Sequence, residues 1–128
     1  MFTLEQIDAL HARLGQVETL ADYVRALAAL GVTRYDSLVC DGHSEYLGAD
    51  GHRVVSPAVH DTLIVSERGD GNHLVDHLSR HERGETSYLE MSRALADDGI
   101  ERWTVDTNAM TMTFYNRAGD ALLVESIE

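Results

Sequence analysis

Residues 25–35, Arg25-Ala26-Leu27-Ala28-Ala29-Leu30-Gly31-Val32-Thr33-Arg34-Tyr35, read as a helix that stops at a glycine and passes straight into a strand. Sixty-eight residues further on the pattern returns as Arg93-Ala94-Leu95-Ala96-Asp97-Asp98-Gly99-Ile100-Glu101-Arg102-Trp103. Glycine suits the left-handed position that ends a helix because it has no Cβ to clash there. The match continues without a gap. Tyr46 falls on Phe114, Gly51 on Gly119 and Val54-Val55 on Leu122-Leu123, while upstream Ile7 and Leu10 fall on Val75 and Leu78. Any helix ending in glycine before a strand shares part of this pattern. A register held across two helices and two turns favours internal duplication of a helix–helix–hairpin unit.

Working outward, Thr3-Leu4-Glu5-Gln6 is a capping box, and Leu4, Ile7, Leu10 and Leu14 recur at helical spacing until Gly15. A second helix starts near Thr19, with Leu20, Tyr23, Val24, Leu27 and Leu30 on its apolar face. Val32 to Cys40 is extended, Glu45 to Leu47 and Arg53 to Val55 are short strands, and Thr62 to Val65 is expected to add an edge strand. Ser66 to Gly71 is a polar loop and the natural seam of the chain. A third helix follows from about Asn72 to Arg83 and a fourth from Thr86 or Ser87 to Gly99. Strands at Arg102–Asp106, Met110–Tyr115 and Ala121–Ile127 close the sequence. The expected fold is α+β, an antiparallel sheet with helices packed on it, in one domain over 1–128 with pseudo-repeat halves of about 1–65 and 70–128.

Composition narrows the chemistry. The chain has 128 residues, 44% hydrophobic and 25% charged, the profile of a globular protein. Twenty-two carboxylates face ten cations, every one an arginine, for a net charge of −12. Such a surface repels phosphate backbones, so no nucleic-acid partner is expected. Without lysine there is no Walker A phosphate lysine and no Schiff-base lysine. No apolar run spans a bilayer and the first ten residues carry no leader pattern, so no membrane partner and a cytoplasmic location are expected. A single cysteine, Cys40, excludes an internal disulfide and a cysteine-based zinc site.

Residues that differ between the matched halves carry the candidate chemistry: Cys40, Asp41, His43 and His52 face Asn108, Ala109, Thr111 and Asp120. A Cys40–His43 couple could activate a thiolate, but no third residue is assignable, and no catalytic residue is named. His73, His77 and His81, spaced i, i+4, i+8, line one side of the third helix, where neighbouring pairs could chelate a metal ion. The outer two are about 12 Å apart, too far to share one ion. Most aromatic residues fall on inward positions and read as core. Asp97-Asp98 reads as the acidic, solvated end of the fourth helix.

The stretches Leu30–Tyr35, Asp41-Gly42-His43-Ser44-Glu45-Tyr46, His81–Tyr88 and Gly99–Trp103, with the closing hairpin through Gly119, resemble the YbcV-like bacterial and prophage family over nearly the whole chain. The resemblance implies a domain of unknown function, some of whose members are similar to proteins labelled as phage envelope proteins. It also implies a site list, because Asp41, Gly42, His43, Tyr46, His81, Gly84, Tyr88 and Trp103 fall on family motifs whereas His73 and His77 do not. The candidate ligand site is therefore Asp41, His43, Tyr46, His81, Tyr88 and Trp103, centred on His43 with His81, which requires the first hairpin to lie against the third helix. The expected function is a non-catalytic binding or interaction protein without a cofactor, self-associating as a homodimer, for a small-molecule ligand not identified by sequence. A small enzyme or metal-dependent binder using His43 and His81, and a phage-related structural protein, are the alternatives.

Overall fold

Thr3 starts the first helix through a reciprocal pair of bonds. Its hydroxyl accepts the Gln6 N–H at 3.3 Å, and Gln6 Oε1 accepts the Thr3 N–H at 2.9 Å, satisfying donors that a helix start leaves open. This helix, α1, runs Leu4–Leu14 and buries Ile7. The next, α2, runs Leu20–Leu30, buries Tyr23, Val24 and Leu27, and stops at Gly31 in the left-handed conformation. Burying an aliphatic side chain of this size stabilises the fold by about 1.5–3 kcal/mol, so the inward stripe, not helix propensity, holds α2 in place. The computed structural model describes residues 2–15, 19–67 and 73–127.

Three strands follow, β1 at Val32–Leu38, β2 at Ser44–Gly48 and β3 at Arg53–Val55. Then come α3 at Leu74–Glu82, α4 at Tyr88–Asp97, β4 at Ile100–Asp106, β5 at Thr111–Asn116 and β6 at Ala121–Ser126. Among the described residues these make an α+β fold, with four α-helices and one antiparallel sheet in the order β3-β2-β1-β4-β5-β6. The order helix–helix–strand–strand–strand occurs twice, and α2 packs on β1 as α4 packs on β4. No described helix is long and apolar enough to cross a membrane.

The two runs meet at the sheet centre, where β1 lies against β4. Asp36 stands opposite Thr104, 68 residues away, and accepts its hydroxyl at 2.5 Å. The Val39 N–H donates to the Glu101 carbonyl, and the residues at the same offset mirror it, Thr107 N–H to Thr33. The β1–β2 pairing shifts register between Val32 and Arg34, and the β4–β5 pairing shifts between Ile100 and Arg102, again at that offset. Left-handed backbone recurs likewise, at Gly31 and Gly99, Gly42 and Met110, Gly51 and Gly119.

Two expectations change, and a third falls outside the described residues. Thr62–Val65 is not a strand: the Leu63 N–H makes a bond to the Cys40 carbonyl and the Ser66 N–H one to Ala96, so the segment leaves the sheet for α4 without entering a ladder. The expected start of the third helix at Asn72, and most of the Ser66–Gly71 seam, lie outside the described residues. Asp98 is not solvated but 8% exposed, and its carboxylate accepts the His73 N–H at 3.2 Å, at the start of α3. An acid that would oppose the dipole of its own helix therefore complements that of its neighbour.

Candidate functional site

Side chains alternate between the faces of a strand, and here one face carries the buried set. Across the sheet Tyr46, Tyr35, Val105 and Met112 stand opposite one another in one row, ending at Glu125 on β6. Ser44, Ser37, Trp103 and Phe114 form the adjoining row. The other face carries Arg34, Asp36, Arg102 and Thr104 around a depression of about 340 Å³. Its charges are answered locally, with Arg34 3.9 Å from Asp36 and the Arg102 guanidinium 4.3 Å over the Tyr115 ring.

On the buried side α1 packs against α2 and α3 against α4. Between the two helix pairs a cavity of about 1080 Å³ reaches down to the sheet. Tyr23, Tyr35, Tyr46, Tyr88, Trp103 and Phe114 line it, six of the chain's eight aromatic residues. The two runs line the cavity with different chemistry. The β1–β2 side is hydroxyl-bearing: Ser37 and Ser44 Oγ atoms are 3.1 Å apart, and the Tyr23 and Tyr46 hydroxyls 3.5 Å. The β4–β5 side is apolar, with Trp103 and Phe114 ring centroids 6.2 Å apart beside Met91 and Met112. Burial, then the neighbouring Tyr46, pushes the Tyr23 phenol far above its ordinary value, and burial does the same to Tyr35. Both phenols stay neutral.

The mouth is acidic. Asp8 and His11 come from α1, His81 and Glu82 from α3 and Glu125 from β6. Burial, reinforced by the charge of Glu82, raises the Glu125 carboxyl above the usual range. Among the described residues no arginine lines the cavity.

Of the residues expected at a site, Tyr46, Tyr88, Trp103 and His81 line this cavity, and Tyr88 packs on Trp103 at 6.4 Å. Burial raises the Tyr88 phenol, and its ring centroid stands 6.3 Å from that of His60. Asp41 and His43 do not line the cavity; only Gly42 between them does. The expected meeting of His43 with His81 is not made. Ser44 turns inward, so the preceding His43 turns outward, where its Nδ1–H donates to Asp41 at 2.5 Å and its Nε2 lies 3.9 Å from Glu45. His81 instead donates from Nδ1 to the Thr86 carbonyl at 3.1 Å. His73 and His77 keep their ring centroids 6.2 Å apart, and no group of three potential metal ligands among the described residues includes them or His81.

The side chains that could share an ion are Cys40, Asp41 and His43, whose ligand atoms lie within 4.8 Å of one another. They already answer each other. Burial opposes ionisation of Asp41, but the backbone N–H and imidazole of His43 outweigh it and hold the carboxyl low. Burial and the Asp41 charge raise the Cys40 thiol, which keeps it protonated and unsuited to nucleophilic attack. His52 is structural: its Nε2–H donates to the Phe2 carbonyl at 2.8 Å, fastening the N-terminal segment to the β2–β3 turn.

Tyr23, Tyr35, Phe114 and Glu125 belong to the site although sequence reasoning left them in the core or unmentioned. The signal that could have found them was the coincidence of large rings 68 residues apart, Tyr35 with Trp103 and Tyr46 with Phe114. A search of curated proteins finds no match. A family model does match residues 9–126. The chain thus belongs to the family described as protein of unknown function, DUF1398.

Proposed function

We propose that this is a non-catalytic binding protein that seats a small organic molecule between its two helix pairs and the sheet. The observation that carries the reading is the gathering of six aromatic rings, from both halves of the chain, around one cavity of about 1080 Å³. Small-molecule sites are typically about 300–1,000 Å³, mostly apolar, with a few placed polar groups. The hydroxyls of Ser37, Ser44, Tyr23 and Tyr46 are such groups. Catalysis has less support, because the Cys40 thiol is held protonated and the Asp41–His43 pair faces away from the cavity.

The reading includes an origin. The offset of 68 residues shared by Asp36 and Thr104, by the register shifts and by the left-handed positions supports duplication of a helix–helix–strand unit about a pseudo-two-fold axis. Binding would then have arisen where the two copies meet and diverge. The YbcV-like placement is the narrower family position within this proposal and assigns no activity to it.

Trp103, the only tryptophan, lines the cavity, so its fluorescence reports directly on occupancy. Titration with the neutral dye N-phenyl-naphthylamine is expected to enhance dye emission and quench Trp103 with one saturable site. Replacing Met112 with Trp should narrow the cavity beside Trp103 and Phe114 and weaken dye binding. Dye emission that stays at the buffer level at saturating protein would refute the reading.

A further inference from the structure

The chemistry of the mouth limits what the cavity accepts. Asp8, Glu82 and Glu125 stand on three separate elements, and none of the ten arginines is placed among the described lining residues to neutralise them. Glu125 lies directly opposite Met112, and paired residues of an antiparallel sheet share a face, so its carboxylate stands over the cavity. Glu82, on α3, acts electrostatically on that carboxylate. Below them the walls are aromatic faces, whose negative quadrupoles attract cations. The deeper hydroxyls are neutral and accept or donate equally. An anion would enter past three carboxylates and meet no arginine, only the imidazoles of His11 and His81, the latter already bonded through Nδ1 to the Thr86 carbonyl; a neutral molecule would leave the carboxylate repulsion in place. A cation relieves it.

We infer that the cavity selects an organic cation, an ammonium- or pyridinium-type molecule with an aromatic or apolar body, whose charge sits between Glu82 and Glu125 and whose body lies against Trp103 and Phe114. The inference rests on the binding reading above and adds the charge of the ligand to it. Specificity then comes from paired selection. The aromatic walls accept many apolar bodies, while the mouth rejects anions.

Three dyes separate these claims: the cationic thioflavin T, neutral N-phenyl-naphthylamine, and anilinonaphthalene sulfonate, which is the same neutral skeleton with a negative charge. The cationic dye is expected to bind about tenfold more tightly than the neutral one, from cation–aromatic and carboxylate attraction together. The sulfonate is expected to bind more weakly than its neutral parent. In the double variant Glu82→Gln/Glu125→Gln, affinity for the cation should fall about tenfold, the neutral dye should be unchanged and the sulfonate should gain. The variant removes two mutually repelling carboxylates, so it stays folded, which its circular dichroism melt verifies. Equal cation affinity in the two proteins, or a sulfonate bound as tightly as its parent, overturns the inference. Neutral-dye binding without cation binding overturns it too, while leaving the binding reading intact. If none of the three dyes binds, both fall together.

Discussion

At Gly42 the backbone turns with φ 78°, and a Cβ added there would collide with Val59 Cγ2 and press on the His60 ring. At Gly51 φ is 76° and a Cβ would meet nothing within 4 Å. The two glycines thus separate backbone strain from crowding. Gly51→Ala should cost about 1 kcal/mol, the penalty of a left-handed L-residue. Gly42→Ala should cost about 2–4 kcal/mol, because overpacking adds to the same strain. Urea melts of both variants compare them, and equal losses would show that Val59 yields freely. The buried phenols give a second test at this scale. Tyr23, Tyr35 and Tyr88 are all raised, chiefly by burial. Unfolded tyrosine ionises at about pH 10, so above that pH the unfolded chain releases protons that the folded chain retains. Stability should therefore fall as pH rises past about 10. Absorbance titration should show these phenols ionising only as near-ultraviolet circular dichroism collapses. Five tyrosines titrating together with the fold intact would contradict their burial.

The elements differ in how far their sequence declares them. α1 was legible to the residue and the start of α4 to within one, between Thr86 and Ser87, because capping boxes, Thr3 with Gln6 and Ser87 with Glu90, are local chemistry that needs no tertiary partner. Ser87 Oγ accepts the Glu90 N–H at 3.1 Å, and Glu90 Oε1 accepts the Ser87 N–H at 2.9 Å. Ser87→Ala should destabilise the protein by about 1 kcal/mol, visible as a lower thermal midpoint with unchanged helical content at low temperature. Thr62–Val65 shows the opposite case. Its β-branched residues have strand propensity, but a strand also needs a free edge in register, and this segment is drawn off toward α4 through Ser66 and Ala96. Propensity could not reveal that. Asp98 was misread for the same reason, since the helix it stabilises begins 25 residues before it in sequence. Asp98→Ala should cost about 1–2 kcal/mol through the lost His73 acceptor and the uncompensated start of α3. A change under a few tenths would mean the carboxylate is dispensable there.

At the scale of the molecule, inward-facing aromatic residues were legible, but the space between them was not. Periodicity says which side of a helix or strand is buried; it does not say whether two helix pairs close over the sheet or stand apart. The pairing of β1 with β4 places the two halves edge to edge, so each helix pair covers its own strands and the cavity opens where the halves adjoin. The same arrangement concentrates charge, since a chain of net −12 brings Asp8, Glu82 and Glu125 to one mouth. Stability should then depend on pH with two opposite slopes. Glu125 is raised in the fold, so the folded chain holds that proton more tightly than the unfolded one, and stability increases as pH falls from neutral toward the raised value. Asp41 is lowered by its His43 partner and Glu90 by its cap, so their contributions are lost once pH falls below about 4, through their depressed folded values. The expected thermal midpoint peaks on the acid side of neutrality. Glu125→Gln should raise the midpoint at neutral pH and flatten the rising limb while leaving the acid limb unchanged. Salt should do the same by another route, because screening lengths shrink from about 10 Å at 0.1 M to about 3 Å at 1 M. The gain from sodium chloride should accordingly be smaller in Glu125→Gln than in the parent protein. Equal salt gains in the two, measured by calorimetry at neutral pH, would place the repulsion elsewhere on the surface and not at the cavity mouth.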